Sequence, residues 1–155
     1  MKFQRTSAFV ALLTLCYWHS SAQVSTPPVN EPNYNKPKIF TDLPDNLTIN
    51  LSRLEALLQL PVGSPVNTII ATGFGLQGTV ISKSNPSDAS VRSVVIKSGS
   101  RQQATLTFTR ITKQDGSITY IGRMLSKDAG DALEIVNEGD HYVIRKRGLY
   151  DMINE

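Results

Sequence analysis

Cysteine and tryptophan each occur once in the chain, at Cys16 and Trp18, and histidine twice, at His19 and His141. Three of these four residues fall within the first 22 positions. That stretch reads as a cleavable secretory signal. Lys2 and Arg5 supply the positive start, an apolar run extends from Ala8 to Trp18, and Ser20-Ser21-Ala22 supplies small residues for cleavage between Ala22 and Gln23. An apolar run of 11 residues is shorter than the roughly 20 a transmembrane helix needs. A lipid anchor at Cys16 would call for a small residue before it, where the chain has Leu15. The expectation is a secreted or periplasmic protein with residues 1–22 removed.

Each absence then excludes a chemistry. A mature chain without cysteine has neither thiol catalysis nor disulfides, so on an oxidising export route its stability must come from its core. A single histidine rules out His-pair zinc sites and leaves a Ser-His-Asp triad only His141, which follows Asp140 at a turn and reads as solvated. Aromatic platforms for sugars are thin without tryptophan. Loss of Lys2 and Arg5 takes the sixteen basic residues to fourteen against thirteen acidic ones, a net charge of +1, so nucleic-acid binding is not implied. No cofactor or metal is expected, and no catalytic residue can be nominated.

Residues 23–38 read as a flexible linker. Pro27, Pro28, Pro32 and Pro37 punctuate it, asparagines lie between, and too few apolar residues are present to offset ordering entropy. Residues 39–155 read as a single β-rich globular domain. Leu51, Leu54, Leu57 and Leu58 fall at helical spacing behind the capping candidates Asn50 and Ser52, and Pro61 ends the run. Gly63 and Pro65 imply an irregular connection.

Six strands are then expected, over 76–83, 91–98, 103–112, 117–125, 132–136 and 141–147. The third is the clearest: Ala104, Leu106 and Phe108 alternate with Thr105, Thr107 and Thr109. Asp115-Gly116 suits a hairpin turn, and Glu138-Gly139-Asp140 a second one. Short connections favour antiparallel neighbours. The fold class is α+β, mainly β: one N-terminal helix packed on a curved antiparallel meander of about six strands, or on a partly closed barrel. The apolar tail from Leu149 to Ile153 is expected to dock on the sheet as a short turn.

Gly73-Phe74-Gly75-Leu76-Gln77-Gly78 has dinucleotide spacing but is followed by strand residues, not a helix, and reads as entry into a strand. Asp128, Asp131, Glu134, Glu138 and Asp140 cluster in sequence without the facing pair that glycosidase chemistry requires, and without the ligand spacing of a calcium loop. Arg145-Lys146-Arg147 is a candidate basic surface, which Lys83, Lys97, Arg110 and Arg123 could extend. Asn46-Leu47-Thr48 and Asn50-Leu51-Ser52 are glycosylation sequons.

The resulting reading is an exported, non-enzymatic β-domain that binds another protein or an envelope component. The competing reading is an inhibitor or pro-domain-like regulator of a secreted hydrolase, using the loop 84–90.

Overall fold

A computed structural model of the chain describes residues 33–102 and 104–152. The elements are β1 (Asn46–Thr48), α1 (Leu51–Leu57), β2 (Pro65–Ala71), β3 (Phe74–Lys83), β4 (Val91–Ser98), β5 (Thr105–Thr112), β6 (Ile118–Leu125), β7 (Asp131–Asn137) and β8 (Tyr142–Gly148). All strands join one antiparallel sheet in the order β1-β8-β7-β6-β5-β4-β3-β2. The domain is thus mainly β, a meander with one short helix.

Two expectations are corrected. The sheet has eight strands, not about six, and the helix does not precede the sheet but lies between β1 and β2. Each error has a local cause. Three residues are too few for β1 to display an alternation. β2 opens on Pro65, which signals irregularity to a reader of the sequence but is tolerated as the first residue of an edge strand, where an N–H is dispensable.

The sheet curls into a half-barrel whose two edges meet at one point. Ile49 and Ala71 form an isolated antiparallel bridge, Asn50 N–H donates to the Ile70 carbonyl at 2.8 Å, and Thr72 N–H to the Thr48 carbonyl at 3.0 Å. Helix α1 begins directly after this junction. Asn50 caps it, its side-chain oxygen accepting from Arg53 N–H at 3.2 Å. Leu54, Leu57 and Leu58 then face inward and are buried.

One core fills the concave side. Phe40, Phe74, Phe108, Leu54, Ile70, Leu76, Ile96, Met124, Val80 and Val94 are its most completely buried large side chains. The void remaining among Ile70, Phe74, Leu106, Met124, Leu133 and Ile144 is about 10 Å³, the scale of a single water. That void is too small for a ligand larger than a water. A smaller cluster lies apart from this core, where Leu149 and Met152 of the C-terminal turn bury against Ala132 of β7.

The segment before β1 is anchored by side chains distant in sequence. Asp131 of β7 accepts the amide hydrogens of Ile39 and Phe40. Arg101, in the β4–β5 turn, forms a two-pronged pair with Asp42 at 2.5 and 2.7 Å and donates to the Ile39 carbonyl at 3.0 Å. Its guanidinium also lies over the rings of Phe40 and Phe74, 5.8 and 5.6 Å from their centroids. Within the segment expected to be a linker, Pro37 accepts from Gly130 N–H and Lys36 donates to the Lys127 carbonyl.

Candidate functional site

Strand alternation divides the basic residues between two faces. Ile144 belongs to the core, so Arg145 and Arg147 point outward while Lys146 takes the inner side. Each already has an acid nearby. Arg145 pairs with Glu138 and reaches Asn46 Oδ1 at 3.4 Å. Lys146 Nζ donates to the Leu43 carbonyl at 2.6 Å and lies 3.3 Å from Asp45. Arg147 Nε is 3.6 Å from Glu134. Lys97 and Arg123 are on the outer face, Lys83 and Arg110 on the inner one, so the seven cations divide between the two faces of the sheet. Lys146 and Arg147 do line a cleft of about 340 Å³ with Lys38, Asp45 and Asp131.

Four of the five candidate carboxylates, Asp131, Glu134, Glu138 and Asp140, are engaged in structural contacts, and Asp128 is exposed. Asp131, 3% exposed, spends both oxygens on backbone amides of the segment before β1. Glu134 lies between two arginines, 3.1 Å from Arg123 and 3.6 Å from Arg147. His141 sits at the exposed tip of the β7–β8 hairpin, its Nδ1 2.7 Å from Asp140 and its Nε2 3.8 Å from Glu138. The Asp140 hydrogen bond, more than the charge of Glu138, raises the His141 pKa above its usual value. Among the described residues no group of three or more His, Cys, Asp or Glu is placed to hold a metal.

The glycine pattern serves the strands. Gly73 turns the β2–β3 hairpin at φ +75°, and a Cβ on Gly78 would collide with the Lys97 carbonyl oxygen across the β3–β4 ladder. Both sequon asparagines use their side-chain oxygens, Asn46 toward Arg145 and Asn50 at the helix cap. The loop 84–90 is braced by its own side chains: Asn85 Oδ1 accepts from Ser87 N–H, and Asp88 Oδ1 from Ser90 N–H and Oγ–H. The cleavage pair Ala22 and Gln23 lies outside the described residues.

Two features were not anticipated from the sequence. The first is the open edge of β2. Beyond the junction at Ala71, no strand covers its outer side among the described residues. The strand is Pro-Val-Asn-Thr-Ile-Ile-Ala, without a charge, and Ile69 is 65% exposed. A groove of about 420 Å³ lies beside its middle residues, lined by Asn50, Arg53, Asn67, Thr68, Ile69 and Gly75. Arg53 is its one charged residue and has no ion-pair partner among the described residues. The absence of charge from 65–71 was the legible signal, because edge strands ordinarily carry charges that block unwanted pairing.

The second is a cluster at the inner rim beside α1. The Tyr120 hydroxyl donates to Glu55, whose same oxygen lies 3.7 Å from Arg110 Nε. Tyr120 stacks on Phe108 at 5.8 Å between centroids, meets Tyr142 edge-on at 5.3 Å, and donates its N–H to the Tyr142 hydroxyl. Burial first, then the hydrogen bond to Glu55, raises the pKa of the Tyr120 phenol. As one residue of an alternating strand, Tyr120 carries no local sequence signal of this cluster.

No protein-family model, curated protein or solved structure matches the chain. Among the described residues, no helix is long and apolar enough to cross a membrane.

Proposed function

We propose that this protein is an exported, non-enzymatic module that binds another protein, accepting an extended, acidic segment of that partner as an added strand on β2. The observation that carries the reading is the open, uncharged edge of β2 beside the unpaired Arg53. Strand addition uses backbone hydrogen bonds for affinity and flanking side chains for specificity. The stretch from Pro65 to Ile69 offers about 17 Å of edge at 3.4 Å per residue, and Arg53 complements an acidic residue of the incoming strand. The void among the core side chains, about 10 Å³, is too small for a ligand, which favours recognition at the surface. The engagement of Asp131 and Glu134 in structural contacts argues against carboxylate catalysis. Export rests on the N-terminal sequence pattern.

The test is affinity capture with the mature chain, residues 23–155, from the envelope or extracellular fraction of the source cells. A discrete partner retained by the unaltered protein is expected to bind at least about tenfold more weakly to Ile69→Lys and to Arg53→Glu. Ile121→Lys, on the outer face of β6, is expected to bind normally. Equal capture by Ile69→Lys, or loss with Ile121→Lys alone, refutes the reading.

A further inference from the structure

Arg92 of β4 stands directly opposite Arg110 of β5, and Arg110 directly opposite Tyr120 of β6. Opposed residues share a face, and this row is on the inner side because Val94 and Phe108, two positions along, belong to the core. Lys83 of β3 is opposite Val94 and joins the same face. Three cations from three consecutive strands thus occupy neighbouring positions at the inner rim, and one carboxylate, Glu55, approaches one of them, Arg110. Glu55 also accepts from the Tyr120 hydroxyl, and at 3.7 Å it does not hydrogen-bond Arg110 Nε. That Nε is buried without an acceptor. Among the described residues neither Arg92 nor Lys83 has an ion pair.

This arrangement is costly as it stands. Like charges directly opposite on adjacent strands destabilise a sheet, and a buried donor without an acceptor forfeits its hydration. A single oxyanion would relieve both, since guanidinium groups match phosphate oxygens in pairs and a lysine adds a point charge. We propose that the rim formed by Lys83, Arg92 and Arg110 is a phosphate-binding site. The phosphate is carried either by a small soluble molecule or by a lipid headgroup. The site is distinct from the β2 edge and does not depend on the strand-addition reading.

The probes are inorganic phosphate, at ionic strength matched with sodium chloride, and phosphatidylglycerol vesicles against phosphatidylcholine vesicles. With the mature chain, phosphate is expected to raise Tm and to shift the amide resonances of Arg92, Arg110 and Tyr120. Arg92→Gln is expected to raise Tm in phosphate-free buffer, by removing the like-charge pair, and to lose the phosphate response. Arg92→Lys keeps the charge and is expected to retain part of it. Sedimentation with phosphatidylglycerol vesicles alone, abolished by Arg92→Gln, supports the site and assigns the headgroup as its source. Absence of any response to either probe, or equal responses in wild type and Arg92→Gln, overturns the proposal. Arg92 is exposed, so its substitution leaves the core untouched and the comparison stays readable.

Discussion

Phe40 and Asp131 are 91 positions apart in the sequence and are joined by one hydrogen bond, Phe40 N–H donating to Asp131 Oδ2 at 3.0 Å. The other oxygen takes Ile39 N–H at 2.8 Å. One buried carboxylate therefore holds the segment before β1 against the start of β7. Asp131→Asn would put an amide donor against one of these N–H groups. The expected loss is about 2 kcal/mol, the cost of leaving a buried donor unsatisfied, measured by urea unfolding. A change within error would mean that the contact carries no stability.

Arg101 grips the same segment from the β4–β5 turn. Arg101→Ala removes the two-pronged pair with Asp42 and the stacking on Phe40 and Phe74, with an expected loss of about 2 kcal/mol. The hydrogen bond from Arg101 is the main cause that depresses the Asp42 pKa. A carboxylate whose pKa is lower when folded contributes stability above its unfolded pKa of about 3.9, and that contribution fades as pH falls through the folded value. The gap between wild type and Asp42→Asn should therefore be present at neutral pH and shrink on acidification below about pH 4. A gap independent of pH contradicts the pairing.

His141 behaves in the opposite sense. Asp140 raises its pKa, so NMR titration should place its midpoint above about 6.5, and Asp140→Asn should bring it down. Any stability the pair contributes is complete below about pH 6.5 and is lost as pH rises through the raised value. An unchanged midpoint in Asp140→Asn would show that the hydrogen bond is not maintained in solution.

The buried core makes its own demand. Leu54 of α1 is fully buried, and Leu54→Ala is expected to cost about 2–5 kcal/mol through lost burial and the cavity left behind. Ile121, 49% exposed on the outer face, should tolerate change to threonine within about 0.5 kcal/mol. Equal effects at the two positions would contradict the assignment of faces.

These contrasts explain what was legible in the sequence. The alternation of Ala104, Leu106 and Phe108 with threonines marked both the strand and its buried face, because one side of β5 meets the core and the other meets water. The leucine spacing after Asn50 marked α1 and its cap for the same reason. β1 carried no such signal at three residues, and β2 was hidden behind Pro65. Strand spacing alone placed Arg145 and Arg147 on one face and Lys146 on the other; which acids fold toward each was not legible. Glu138, Asp45 and Glu134 come from a turn, a loop and a neighbouring strand. The Arg92–Arg110 opposition was equally invisible, since it depends on the register of β4 against β5.

Strand addition on β2 is tested most directly by amide hydrogen exchange in the isolated protein and in the captured complex. The β2 amides that point away from β3 should exchange rapidly in the isolated protein and become protected in the complex, while the outer face around Thr109 and Ile121 remains unchanged. Protection of that outer face with no change along β2 would contradict the account.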